Sequence, residues 1–282
     1  QSNTPYGEVK ELYGEYSGNV IDIKAGIQRF AWGRLDEYPP NDLLNPWDYT
    51  QFLRKPLEDR KIGVPSVSAS VTAGEWTHQA VWVPWFVPYR LSKPGERWAG
   101  SGGSQAGGIE IIPQEGDLPS RTLQNGNVGF RSLRQGDIEW AVNIYHGYDP
   151  KPVYRSTAFI VTPEYIDPGY VPSFHKITSI GFDAAAVTGG WSIRAEAAYT
   201  ENRRFNLKRE LWGYPAVPLP GTYPLNPVEV ESDALDYGVG ADYQPFEDGR
   251  ITMQAQQTVI LDRPDTLYER KFETLLWAHL KV

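Results

Sequence analysis

From Trp191 to Thr200 apolar and polar positions alternate: Trp191, Ile193, Ala195, Ala197 and Tyr199 hold one parity, while Ser192, Arg194, Glu196, Ala198 and Thr200 hold the other. A period of two puts the sets on opposite faces of a strand, so this strand separates an apolar medium from a polar one. The pattern recurs along the chain. Val67, Ala69, Val71 and Ala73 oppose Ser66, Ser68, Ser70 and Thr72, and Ile138, Trp140, Val142 and Ile144 oppose Glu139, Ala141, Asn143 and Tyr145. Leu235 to Gln244 and Arg250 to Gln256 alternate in the same way. In Ile21 to Trp32 the parity switches between Ile27 and Phe30, which predicts a β-bulge near Gln28 and Arg29.

The resulting strands are Val9–Tyr16, Ile21–Trp32, Ser66–Ala73, Trp76–Val87, Val128–Arg134, Ile138–Tyr145, Ile177–Val187, Trp191–Thr200, Leu235–Gln244, Arg250–Leu261 and Tyr268–Lys281. Short Gly-bearing turns at Ser17-Gly18-Asn19, Ala73-Gly74-Glu75, Gln135-Gly136-Asp137, Thr188-Gly189-Gly190 and Phe246 to Gly249 join the first ten into hairpins. Long connections alternate with these turns. Together they predict an all-β, antiparallel, up-and-down transmembrane β-barrel of about eleven or more strands, with short periplasmic turns and long extracellular loops. No composition shift divides residues 1–282, which read as one domain. Single-chain bacterial barrels have even strand numbers, so the unpaired last strand predicts a chain truncated at its C-terminus.

Composition narrows the class. The chain has no Cys, which removes disulfides and thiolate chemistry, and its ten Trp and seventeen Tyr suit strands. A net charge of −8 without a basic cluster argues against nucleic acid as a partner. No apolar run approaches the roughly eighteen to twenty residues of a transmembrane helix, and Gln1 to Tyr16 does not read as a signal peptide.

Full charges on the polar parity and the number of strands favour a wet lumen over a soluble barrel with its apolar face inward. The predicted pore lining is Asp22, Lys24, Arg29, Glu139, Asp183, Arg194, Glu196, Asp236, Asp242 and Arg250, whose acidic excess favours cations. The predicted lipid-facing set is Trp191, Ile193, Ala195, Ala197 and Tyr199. Tyr13, Tyr16, Trp32, Trp82, Trp85, Phe86, Tyr145, Tyr199, Tyr243 and Trp277 are candidates for aromatic girdles.

The run Ala25-Gly26-Ile27-Gln28-Arg29-Phe30-Ala31-Trp32-Gly33, followed by Asn41-Asp42 and Leu44-Asn45-Pro46-Trp47-Asp48-Tyr49, resembles a family of outer-membrane porin-like proteins of Gram-negative bacteria catalogued as a domain of unknown function. Trp82-Val83-Pro84, Pro88-Tyr89-Arg90-Leu91 and the hairpins within Ile177–Thr200 and Leu235–Leu261 extend the resemblance over most of the chain. It implies an outer-membrane location and a longer protein with a signal peptide and a final aromatic-ended strand. This chain shows neither, which fits a fragment.

The long loop 34–65 carries a helix signal, with Asn45 as N-cap and Pro46 at the first helical position. Folded inward, its Trp47, Asp48, Arg54, Lys55, Asp59 and Arg60 would form a constriction that sets selectivity. The rival is a solvated extracellular loop. No enzyme is expected: His78, His146, His175 and His279 sit in no catalytic motif, and no Gly-x-Ser-x-Gly or His-Glu-x-x-His occurs. The Gly-rich run Ala99 to Gly108 lacks the Lys-Ser/Thr end of a P-loop, and Tyr214 to Gly221 reads as a stiff Pro-rich loop.

These features point to a bacterial outer-membrane, porin-like channel for passive passage of small solutes, with no cofactor and no metal. Its partners are membrane lipid and small solutes, with room for a homo-oligomer or a periplasmic partner. Two other classes compete. A structural sleeve around a cytochrome or export system predicts a wide lumen without an inward loop. A soluble carbohydrate-binding or hydrolytic β-protein predicts solubility without detergent.

Overall fold

The computed structural model describes residues 9–36, 38–50, 57–92, 110–111, 116–212, 220–246 and 249–281. An eleven-stranded sheet dominates it. Its strands are β1 Leu12–Ser17, β2 Ile21–Gln28, β3 Val64–Ala73, β4 Trp76–Val83, β5 Asn127–Arg134, β6 Ile138–Tyr148, β7 Lys176–Thr188, β8 Trp191–Asn206, β9 Glu229–Phe246, β10 Gly249–Ile260 and β11 Phe272–Lys281. Each strand pairs antiparallel with its sequence neighbours, so the sheet is one continuous meander. β1 and β11 are its edges, and among the described residues they do not pair with each other.

Local chemistry accounts for this order. The predicted turns fall between the paired strands, and at one of the two-residue turns Gly189 (φ 54°) and Gly190 (φ 80°) take up left-handed backbone that L side chains resist. Between them, Thr188 pairs with Trp191 and carries the register back through Asp183 opposite Glu196. Short turns lie at one end of the sheet and long connections at the other. The long connections form further layers of their own: a four-stranded sheet takes strands from residues 110–111, 158–161, 165–167 and 221–224, and a two-stranded one takes residues 153–156 and 170–173.

Burial on the large sheet runs opposite to that of a water-soluble protein. On β7, Ile180 is 55% and Phe182 45% exposed, whereas Ser179 is 3% and Asp183 0% exposed. Val142 and Ile144 on β6, Ile193 on β8, Val239 on β9 and Met253 on β10 are likewise exposed, while Asn143, Glu196, Asp242, Thr252 and Gln254 are buried. The apolar parity therefore faces outward. The polar parity faces in.

An apolar core does exist on the inner face, at the long-connection end, where Val64, Val81, Val83, Tyr145 and Ile177 meet Phe30, Trp32 and Leu44 of the β2–β3 loop. A second cluster of Phe205, Ala234, Ile260 and Leu267 closes the β8–β11 side at the same end.

Three expectations change. The second strand stops at Gln28, and no bulge carries it on to Trp32: Phe30 and Trp32 leave the sheet and bury themselves in the core, which explains the switch of parity. Trp32 and Tyr145 are not girdle residues, since both are buried on the inside. The helix expected from Asn45 does not form over 45–50, because the Asn45 amide is spent elsewhere: Oδ1 accepts the Phe30 N–H at 2.6 Å and Nδ2 donates to the Gln28 and Ile62 carbonyls. The helical turn is Leu57–Arg60. The Ala99–Gly108 run and most of the Tyr214–Gly221 run lie outside the described residues.

Replacing Gly190 by Val should cost about 1–2 kcal/mol, the penalty of a left-handed β-branched residue. Equilibrium urea unfolding of the reconstituted protein measures it; an unchanged midpoint would contradict the turn assignment.

Candidate functional site: a loop seated on the polar face

Residues 29–63 connect β2 to β3, and their first part lies across the inner face of β5 to β10. The wall is cut to receive it. A Cβ on Gly181 of β7 would collide with the Asn41 amide oxygen, one on Gly129 of β5 would stand 2.7 Å from the Trp32 ring, and one on Gly238 of β9 would stand 2.8 Å from Leu35. Glycine at these inner positions lets the loop approach the strands closely.

Charge holds the loop down. Asp183 receives two guanidinium groups: Arg131 of β5 donates from Nη1 to Oδ2 at 2.7 Å and from Nη2 to Oδ1 at 2.9 Å, and Arg34 of the loop donates from Nε. Asn143 adds a bond at 2.8 Å. Arg34 Nη1 also reaches Glu139 at 3.0 Å. Bidentate arginine–carboxylate contacts are strong and directional where water is excluded. Glu196, one strand further, accepts the backbone N–H groups of Arg34, Leu35 (2.6 Å) and Asn41 (3.4 Å), so a buried carboxylate replaces the water that the loop backbone has given up. Next along the wall, Arg194 grips Asp36 through both terminal nitrogens at 3.1 Å and meets Asp242 at 3.0 Å. Asp242 continues to Arg250 and Thr252.

On the core side, Trp32 Nε1 donates to Gln79 at 2.8 Å and its carbonyl accepts from Arg131. Lys61 Nζ lies 2.6 Å from Asp42 Oδ2. Burial pushes the Asp42 carboxyl above its ordinary value, against the pull of Lys61.

The predicted pore-lining residues are thus largely inside this network or beside it. Asp183, Glu139, Glu196, Arg194, Asp242 and Arg250 take part directly. Lys24 pairs with Glu15 at 3.5 Å and Arg29 with Glu11 at 3.7 Å, while Asp22 is half-buried on the same face between Ser17 and Ser70. Asp236 belongs to a separate cluster near the long connections, bound by Arg203, which also reaches Asp149. Trp191, Ile193, Ala195, Ala197 and Tyr199 share the opposite, outward face of β8, with Trp191 stacked on Tyr243 at 4.5 Å.

The loop lies on the polar face through residues 30–36 and 38–42, and the described members of the predicted constriction set sit elsewhere in it. Trp47 and Asp48 are buried where the loop bridges to Lys61 and Arg90, and Asp59 pairs with Lys10. Arg60 ends the helical turn, its carbonyl accepting the Asp48 N–H at 2.7 Å. Arg54 and Lys55 lie outside the described residues. Arg34, Asp36, Asn41, Arg131 and Asn143 are the participants that sequence reasoning missed. The available signal was glycine on the polar parity of three strands.

Among the described residues the histidines form no relay. His175 meets Ser173 (3.2 Å) and Glu229 (3.1 Å) through the same nitrogen, Nε2, whereas a serine–histidine–acid relay uses both ring nitrogens. His78 pairs with Ser132 and His146 with Thr178, both on the outward face. The side chain of His279 lies outside the described ones.

The family model described as "Protein of unknown function (DUF1302)" matches residues 4–268, so the chain belongs to that family. No curated protein matches it.

Two substitutions test the seat. Asp183→Asn leaves Arg131 and Arg34 facing a neutral amide and should cost about 3–5 kcal/mol in equilibrium unfolding, as removal of one partner from a buried ion pair does. Gly181→Val should lift the loop and open the Arg34–Leu35 bond to trypsin, a bond expected to resist cleavage in the parent; equal resistance in both proteins would refute the seat.

Proposed function

We propose that this member of the DUF1302 family is an outer-membrane β-barrel protein of the porin type, which passes small solutes passively past the inward β2–β3 loop and performs no chemical step. The observation that carries the proposal is the inverted burial of the large sheet. Apolar side chains turned outward cost free energy in water, about 25 cal/mol per Å², and this cost disappears when lipid covers them.

The dimensions suit a bilayer. On β7 the outward positions between Thr178 and Thr188 are Ile180, Phe182, Ala184 and Ala186, all apolar. At roughly 3.3 Å per residue and a tilt of about 40°, this stretch spans about 25 Å, the height of the apolar band of outer-membrane barrels. At the short-turn end, Trp76, Trp140, Trp191 and Tyr243 line the outward face as interfacial aromatics do, with Trp76 and Trp140 in edge contact at 5.1 Å.

Strand direction adds a geometric condition. β1 and β11 both run from the long-connection end to the short-turn end, so joining them directly would make a parallel seam. An all-antiparallel barrel requires an odd number of further strands between those edges. The filled inner face also favours a constricted pore over a sleeve, since a sleeve needs an open lumen for its partner.

Planar-bilayer recording tests the proposal: discrete conductance steps support it, and a well-folded protein that never conducts refutes it. In the same preparation, Ala195→Arg should cost about 2–4 kcal/mol of folding stability in vesicles if the site is near the bilayer midplane. A cost near zero would mean that this face does not meet lipid.

A further inference from the structure

Two cavities border the loop, meeting at Arg29, Phe30 and Ala31, which line both. The smaller, about 220 Å³, lies between loop and wall and is lined by Trp32, Thr77, Gln79, Arg131 and Leu133 among others. The larger, about 420 Å³, is bounded by Glu11, Arg29, Ala31, Asp36, Pro39 and Lys61 together with their loop neighbours, and no residue of β3 to β11 lines it. It lies on the side of the loop turned away from those strands. Ala31, in its lining, is exposed, and Tyr38, further along the loop, is exposed to 57%. Around Arg34, Leu35, Asp36 and Asn41, in contrast, the wall-facing side is closed by their bonds to Asp183, Glu196, Arg194 and Gln254.

We infer that solutes cross over the strand-distal surface of the loop, past Ala31 and Tyr38, and that the charged residues of the wall beneath it anchor the loop and do not touch the solute. This rests on the porin proposal above. The chemistry of the path follows from its lining. Arg29 is matched by Glu11, Lys61 by Asp42, and Asp36 by Arg194 of the wall, so the charges along the path balance. Small polar solutes of either sign fit such a lining, and the acidic excess of the wall, which favoured cations at the level of sequence, is hidden from them.

Because the chain contains no Cys, single cysteines report cleanly. Ala31→Cys, Tyr38→Cys, Ser179→Cys on the inner wall and Ile180→Cys on the outward face are each recorded in planar bilayers, before and after a membrane-impermeant, charged methanethiosulfonate reagent. The expected result is a stepwise loss of conductance at positions 31 and 38 and no change at 179 or 180, with near-equal permeability to potassium and chloride in the parent protein. A loss at 179, or unchanged conductance at both 31 and 38, overturns the inference while the porin proposal stands. A parent protein that folds but never conducts overturns both. Conductance before reagent shows that each variant has folded.

Discussion

Asp183 carries a carboxylate on the inner face of the sheet with no exposure to solvent, and two guanidinium groups from distant parts of the chain meet it there. Removing such a charge from water costs several kcal/mol, and only close, bidentate, fully bonded geometry offsets that. Arg131 supplies the geometry from the wall and Arg34 brings the loop to it. Once Arg34 is fixed, Glu196 can collect the neighbouring backbone N–H groups, Asp36 falls to Arg194, and Asn41 drops into the space left by Gly181. The loop is therefore held by a continuous polar lattice over several strands, and its apolar residues Phe30, Trp32 and Leu44 are committed to a core at the other end of the same face.

This explains how one sheet accommodates two opposite surfaces. The inner face satisfies its charges with the chain's own loop, so few of them require water. The outer face is left apolar and exposed along most strands, with its few polar groups paired among themselves, as in His78 with Ser132 and His146 with Thr178. A bilayer is the environment in which such a division carries no penalty.

The sheet was legible in the sequence because its determinants are local. Alternation over eight to ten residues and a glycine in each short turn are visible without knowing what any strand touches; the eleven strands and the five hairpins of the first ten were readable from them, whereas the last strand, expected to be unpaired, pairs with β10. The seat of the loop was not legible, because its bonds join residues far apart: Arg34 and Asp183 are separated by 149 positions, and Asn41 and Glu196 by 155. Asn45 misled for a related reason. Its local context is that of a helix N-cap, yet a buried amide with tertiary partners at Phe30, Gln28 and Ile62 takes precedence over a local capping preference. Gly129, Gly181 and Gly238, each on the polar parity of a strand, were the marks of a close neighbour, although nothing in the sequence said which neighbour.

The orientation of the two faces is the central claim, and nitroxide labels placed one at a time along residues 178–187 of β7, in a protein reconstituted into lipid vesicles, test it most directly. Collision with oxygen, which partitions into lipid, and with a water-soluble nickel chelate should alternate. Even positions such as 180, 182 and 184 are predicted to be accessible to oxygen and shielded from nickel, and odd positions such as 179, 181 and 183 to be shielded from oxygen. Nickel accessibility at 180, 182 and 184, or loss of the alternation, would contradict the account.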